Sequence, residues 1–104
     1  MHKILETKAA RKDLDAIWDY IAIENDNPEA ANRLIDDFTD AYRLLAVNPG
    51  LGQSVEWLST NLRRFAVRKN YVVFYEPIAD GILIVRVLHA ARNITTGLFD
   101  VGET

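Results

Sequence analysis

The stretch Leu62–Arg92, LRRFAVRKNYVVFYEPIADGILIVRVLHAAR, decides how this chain folds. Branched and aromatic residues gather in three runs, Leu62–Val67, Tyr71–Glu76 and Ile82–His89. Such side chains suit a pleated surface, and each run has strand length. The breaks are short: Arg68-Lys69-Asn70, then Pro77-Ile78-Ala79-Asp80-Gly81 with its Asp-Gly turn dipeptide. Connections of that length force antiparallel neighbours, since a parallel return needs roughly a dozen residues. The stretch therefore predicts a three-stranded antiparallel meander. Six basic residues stud it, namely Arg63, Arg64, Arg68, Lys69, Arg86 and Arg92.

Upstream, the pattern changes from a period of two to helical spacing. His2–Thr7 reads as a short strand around Ile4 and Leu5, and the Thr7 hydroxyl suits an N-cap. From Lys8 to about Ile23 the apolar stripe is Ala10, Leu14, Ile17, Trp18 and Ile21, one face of a helix. Asn27-Pro28 ends the following turn and starts a second helix, proline being at ease in the first helical position. That helix runs to about Ala46, with Ala31, Leu34, Ile35, Phe38, Ala41, Tyr42 and Leu45 on one side, and Asn48-Pro49-Gly50 stops it. The short link predicts an antiparallel helix hairpin whose stripes bury on the sheet. The class is α+β, one domain over residues 1–104, in the order strand, helix hairpin, three-stranded meander. Gln53–Asn61 lacks periodicity and reads as a loop or short helical turn. Residues 93–104 read as a tail, with Ile94, Leu98, Phe99 and Val101 lying against the domain or a partner.

Alternation sorts the strand faces. Arg63, Phe65 and Val67 oppose Arg64, Ala66 and Arg68; Ile82, Ile84, Arg86 and Leu88 oppose Leu83, Val85, Val87 and His89. The middle run is apolar on both sides, Tyr71, Val73 and Tyr75 against Val72 and Phe74, so both faces need a cover. The hairpin supplies one. The tail or a bound protein segment is expected to supply the other.

Composition narrows the functional classes. The net charge of −3 divides unevenly: residues 1–60 carry six Lys/Arg against eleven Asp/Glu, and residues 61–104 carry six against four. A basic sheet on an acidic protein suits an acidic partner, while the overall field opposes direct nucleic-acid binding. Without cysteine the chain forms neither a disulfide nor a thiolate metal site, which fits the cytoplasm. No apolar run is long enough to cross a membrane as a helix.

Among candidate sites, His89 stands between Arg86 and Arg92, three residues away on either side. This is either an acid–base group among phosphate-binding arginines or a strand-end residue bonding the backbone. Arg63-Arg64 and Arg68-Lys69 suit either a clamp on phosphates or an acidic peptide, or a charged strand edge that resists aggregation. Trp18 and Trp57 read as core or interface anchors. Asp36, Asp37 and Asp40 form a polar helix face rather than a metal cluster. Nothing resembles a phosphate-binding loop, a nucleophilic triad or a zinc site, so neither cofactor nor metal is expected.

The segments AARKDLDAIWDYIA, PEAANRLIDDF, LLAVNPGLG, LRRFAVRKNYVVFYEP and ILIVRVLHAARN, in this order, resemble the RelE/ParE superfamily of toxins from type II toxin–antitoxin systems. The wording is most similar to the ParE branch, which includes plasmid-stabilisation proteins. The resemblance implies a growth-inhibiting toxin held by a ParD-like antitoxin in a hetero-oligomer. ParE-like members are known for poisoning DNA gyrase, and RelE-like members for cleaving mRNA on the ribosome with Lys, Arg and a Tyr or His near the end of the sheet. Here the last tyrosine is Tyr75, so the tail offers none. The gyrase branch is therefore expected. A nuclease would have to rely on Arg64, Arg86, His89 and Arg92, and a non-toxic, protein-binding relic of the fold is a third possibility. Expected antitoxin or target contacts are Arg63, Arg64, Arg68, Lys69, Arg86 and Arg92.

Overall fold

The computed structural model describes residues 2–92, 94 and 96–99. Strand β1 (Lys3–Glu6) leads into helix α1 (Lys8–Asp19), a π-helical turn (Tyr20–Glu24) and helix α2 (Pro28–Val47). A short strand β2 (Gln53–Ser54) precedes β3 (Arg63–Val67), β4 (Tyr71–Ile78) and β5 (Gly81–His89), and a 3₁₀ turn covers Thr96–Phe99. The sheet order is β1-β5-β4-β3-β2. The meander β3-β4-β5 is antiparallel, whereas β1 joins β5 in parallel with Lys3 opposite Gly81.

Local chemistry fixes the joints. Thr7 Oγ1 accepts from the Ala10 N–H at 3.0 Å and donates to the Val85 carbonyl at 2.8 Å, so one hydroxyl caps α1 and ties it to the sheet. Asn27 Oδ1 accepts from the Ala30 N–H at 3.1 Å, with Pro28 opening α2. Gly81 lies against β1 so closely that a Cβ there would sit 1.9 Å from the Lys3 carbonyl oxygen. The Tyr75 hydroxyl donates to the Pro49 carbonyl at 2.7 Å and accepts from the Gly52 N–H at 2.8 Å, pinning the loop after α2.

The core has two parts, one on each face of the sheet. Leu14, Leu34, Phe38, Tyr42 and Leu45 from the helices pack on Val73, Tyr75, Ile82, Ile84 and Val87. The opposite face buries Val72, Phe74, Val85 and Leu88 under Val55, Leu58, Leu62 and Phe99, with Ile94 and Leu98 alongside. The second cover is thus the 55–62 loop and the tail together. Residues 100–104, which include Val101, lie outside the described residues.

Three sequence expectations shift. Gln53–Ser54 pairs with Arg63 and Arg64 as a fifth strand, too short to show a period. On β5, a bulge opposite Phe74/Tyr75 inserts Val85 and inverts the alternation beyond it. Val87 therefore joins Ile82 and Ile84 under the helices, and Leu88 moves to the other face with Leu83 and Val85. Trp57 is 73% exposed, so it is no core anchor. The half-buried Trp18 bonds Asn32 of α2 at 2.9 Å and braces the hairpin.

Candidate functional site: the groove at the end of the sheet

The bulge brings α1 and β5 into a specific arrangement. β1 covers the β5 edge only as far as Ile84, and beyond it Asp13 of α1 takes over. Its Oδ2 accepts from the Val87 N–H at 3.0 Å and from Arg86 Nε at 2.7 Å, while Oδ1 accepts from Arg86 NH2 at 2.8 Å. Arg86 NH1 donates to the Leu98 carbonyl at 3.0 Å. The guanidinium is thereby shared by a helix, a strand and the tail. The bond to Asp13 raises its pKa above the ordinary arginine value, against the smaller downward pull of burial.

Beside this clamp a groove of about 550 Å³ opens between the end of the helix and the end of the sheet. Ile17, Ile21, Tyr71 and Val87 form its apolar wall; Tyr20, Asn25, Asn70, His89 and Arg92 carry its polar groups. Tyr71 and His89 are register partners whose rings meet edge to face at 5.4 Å, and Phe38 meets Tyr71 in the same manner at 5.6 Å. His89 Nδ1 accepts from the Ala91 N–H at 3.1 Å, which leaves the ring proton on Nε2. His89 thus bonds the local backbone and also lines the groove.

The other basic residues do not converge on it. Arg63 donates to the Gly50 and Gly52 carbonyls at 3.3 and 2.5 Å, holding the loop after α2. Arg68, at a φ of 54°, pairs with Asp37 of α2 at 2.6 Å. Arg64 is exposed opposite Gln53 and Phe74, on the face away from the helices, whereas His89 stacks with Tyr71 on the helix side. Arg64, Lys69 and Arg92 are exposed, and none forms an ion pair among the described residues. Of the four residues required for nuclease chemistry, only His89 and Arg92 line the groove.

Asp13, Tyr20, Asn25, Asn70 and Tyr71 escaped the sequence reading as site residues. Asp13 left one signal: it stands three residues after Ala10 and beside Leu14, a carboxylate at the border of an apolar stripe. Among the described residues, no three His, Asp or Glu side chains gather to hold a metal, and no helix is long and apolar enough to cross a membrane.

Comparison with known proteins places this architecture. Residues 4–94 match the family model described as the ParE toxin of the type II toxin–antitoxin system, parDE. The chain is 33% identical to Toxin ParE1 of Caulobacter vibrioides, over 84% of this chain and 88% of that protein. It is 38% identical to Toxin RelE2 of the same organism, over 88% of this chain and 99% of that one. A solved structure described as the chromosomal ParDE TA system from P. aeruginosa superposes with a TM-score of 0.69 at 25% identity, covering 86% of this chain and 96% of its own. With nearly the whole described fold inside the family match, the chain belongs to the ParE toxin family of type II toxin–antitoxin systems.

Proposed function

We propose that this protein arrests growth by binding another protein, DNA gyrase, and that a ParD-like antitoxin neutralises it in a cytoplasmic hetero-oligomer. The observation that carries the reading is the separation of Arg64 from His89 by the thickness of the sheet. RNA cleavage needs a base for the 2′-hydroxyl, an acid for the leaving oxygen and cations on the phosphate, all within reach of one atom. Among the described residues, Arg92 is the one free cation that lines the groove with His89, because Arg86 is engaged by Asp13 and the Leu98 carbonyl. A binding surface needs no such convergence, and the net charge of −3 suits a protein target better than a polyanion.

One observation favours a second reading, an mRNA endonuclease. This is the 38% identity to a relative named RelE2. Two assays on purified protein separate the readings: supercoiling by gyrase, and cleavage of mRNA on translating ribosomes. Under the gyrase reading, supercoiling is inhibited and mRNA on translating ribosomes stays intact. Ribosome-dependent cleavage that disappears in His89→Ala, with gyrase unaffected, overturns it.

A further inference from the structure

The groove at the end of the sheet has unlike rims. On the helix side the π-helical turn, marked by the Asn25 N–H to Tyr20 carbonyl bond at 3.1 Å, carries Tyr20, Ile21 and Asn25 to the groove. Such wide turns cost helix regularity and recur at functional positions. Tyr20 is 55% exposed and Ile23, on the same turn, is 67% exposed. The exposed residues adjoining them, Asp19, Glu24 and Asp26, are acidic. The sheet side has His89 and Arg92, with the exposed Lys69 next to Asn70.

Two features make this a surface in want of a partner. Tyr20 presents exposed area at a concave apolar wall, where a partner side chain would lose water contact on several sides at once. Secondly, Arg11, Arg68 and Arg86 each hold an internal carboxylate, whereas Arg92 and Lys69 hold none among the described residues. Arg92 lines the apolar groove, and such a cation complements a carboxylate on the incoming chain.

We propose that this groove docks a protein segment that inserts one aromatic or branched aliphatic side chain between Tyr20 and Tyr71 and sets a carboxylate against Arg92. The proposal rests on the reading of the protein as one that acts by protein contact, and it names the chemistry of that contact. The acidic helix rim gives the groove a direction: a segment with its charge reversed would place a cation on Arg92 and lose the match.

The test uses three fluorescently labelled eight-residue peptides with a central Trp flanked by Glu, Gln or Lys, titrated against the whole protein. The Glu peptide is expected to bind at least roughly tenfold more tightly than the Lys peptide, a difference that shrinks as salt is raised. Arg92→Glu, which changes an exposed side chain, should reverse that order, and Tyr20→Ser, at the exposed wall of the groove, should weaken all three. Amide NMR shifts on binding should centre on Asn25, Asn70 and His89. Equal affinity for the three peptides, or an order unchanged by Arg92→Glu, overturns the proposal. So do shifts centred instead on exposed Leu44, Val47 and Leu51 or on Trp57. Induction of the wild-type gene tests the other reading separately. Failure to arrest growth removes the toxin role, whereas arrest without peptide discrimination removes this groove alone.

Discussion

Asp13 and Arg86, 73 residues apart in sequence, meet in a two-pronged ion pair at 2.7 and 2.8 Å. The pair closes the part of the β5 edge that β1 is too short to reach. Both side chains are nearly buried, at 12% and 15% exposure. Removing one partner therefore leaves a charge stranded. Asp13→Ala should cost about 3–5 kcal/mol, since it also orphans the Val87 N–H. Asp13→Asn retains an acceptor for that N–H and should cost clearly less. Denaturant unfolding of the two variants checks the order.

Tyr42 poses the opposite case. Its hydroxyl is buried without a hydrogen-bond partner among the described residues, and burial, reinforced by Glu6, pushes its pKa far above the ordinary phenol value. Tyr42→Phe removes an unsatisfied polar atom and should be neutral or stabilise by up to about 1 kcal/mol. The pH dependence follows from the direction of the shift. The unfolded chain ionises Tyr42 above about pH 10, while the fold keeps it protonated. The stability it contributes is thus complete below that pH and declines as pH rises further. The wild type should lose stability there faster than Tyr42→Phe, as thermal melts from pH 9 to 11 would record.

Gly81 is fixed by the approach of β1. A Cβ would meet the Lys3 backbone itself, which cannot swing aside as a flexible side chain would. Gly81→Ala should cost roughly 1–3 kcal/mol by pushing β1 off β5. Amide exchange at Thr7, whose N–H bonds the Ile84 carbonyl at 3.0 Å, should quicken before exchange in β4 does.

Phe99 stacks on Phe74 at a centroid distance of 4.7 Å and is 6% exposed. Phe99→Ala should cost about 3 kcal/mol, through lost burial and a cavity. It also uncovers Phe74 and Val85, so binding of a hydrophobic dye should rise in a chain that otherwise melts cooperatively.

Much of this fold was legible in the sequence because its signals are periodic. Both helix stripes, both caps and the meander follow from spacing and turn chemistry over six or more residues. The β5 faces beyond Val85 were misassigned because one inserted residue inverts alternation without changing composition. β2 left no period in two residues, and the parallel partner of β1 depends on contacts far apart in the chain. The groove was half legible. His89 and Arg92 stand out by type, but Tyr20, Asn25 and Tyr71 reach it only through the π turn and the Tyr71–His89 register. Arg86 looked like a contact residue because arginine in a strand suggests function. What engages it, Asp13, lies on another element.

The parallel β1–β5 ladder also sets a timetable for synthesis. Lys3–Glu6 leaves the ribosome long before its partners Gly81–Ile84 are made. Contacts of such long range cannot form until both ends exist. Until the sheet strands are made, the helix hairpin therefore stands without its sheet, its stripe of Leu34, Phe38 and Leu45 unburied. The surface around β5 comes into being only once that strand is made and Asp13 meets Arg86. A nascent chain that stops short of β5 thus has neither the Asp13–Arg86 clamp nor the groove beside it.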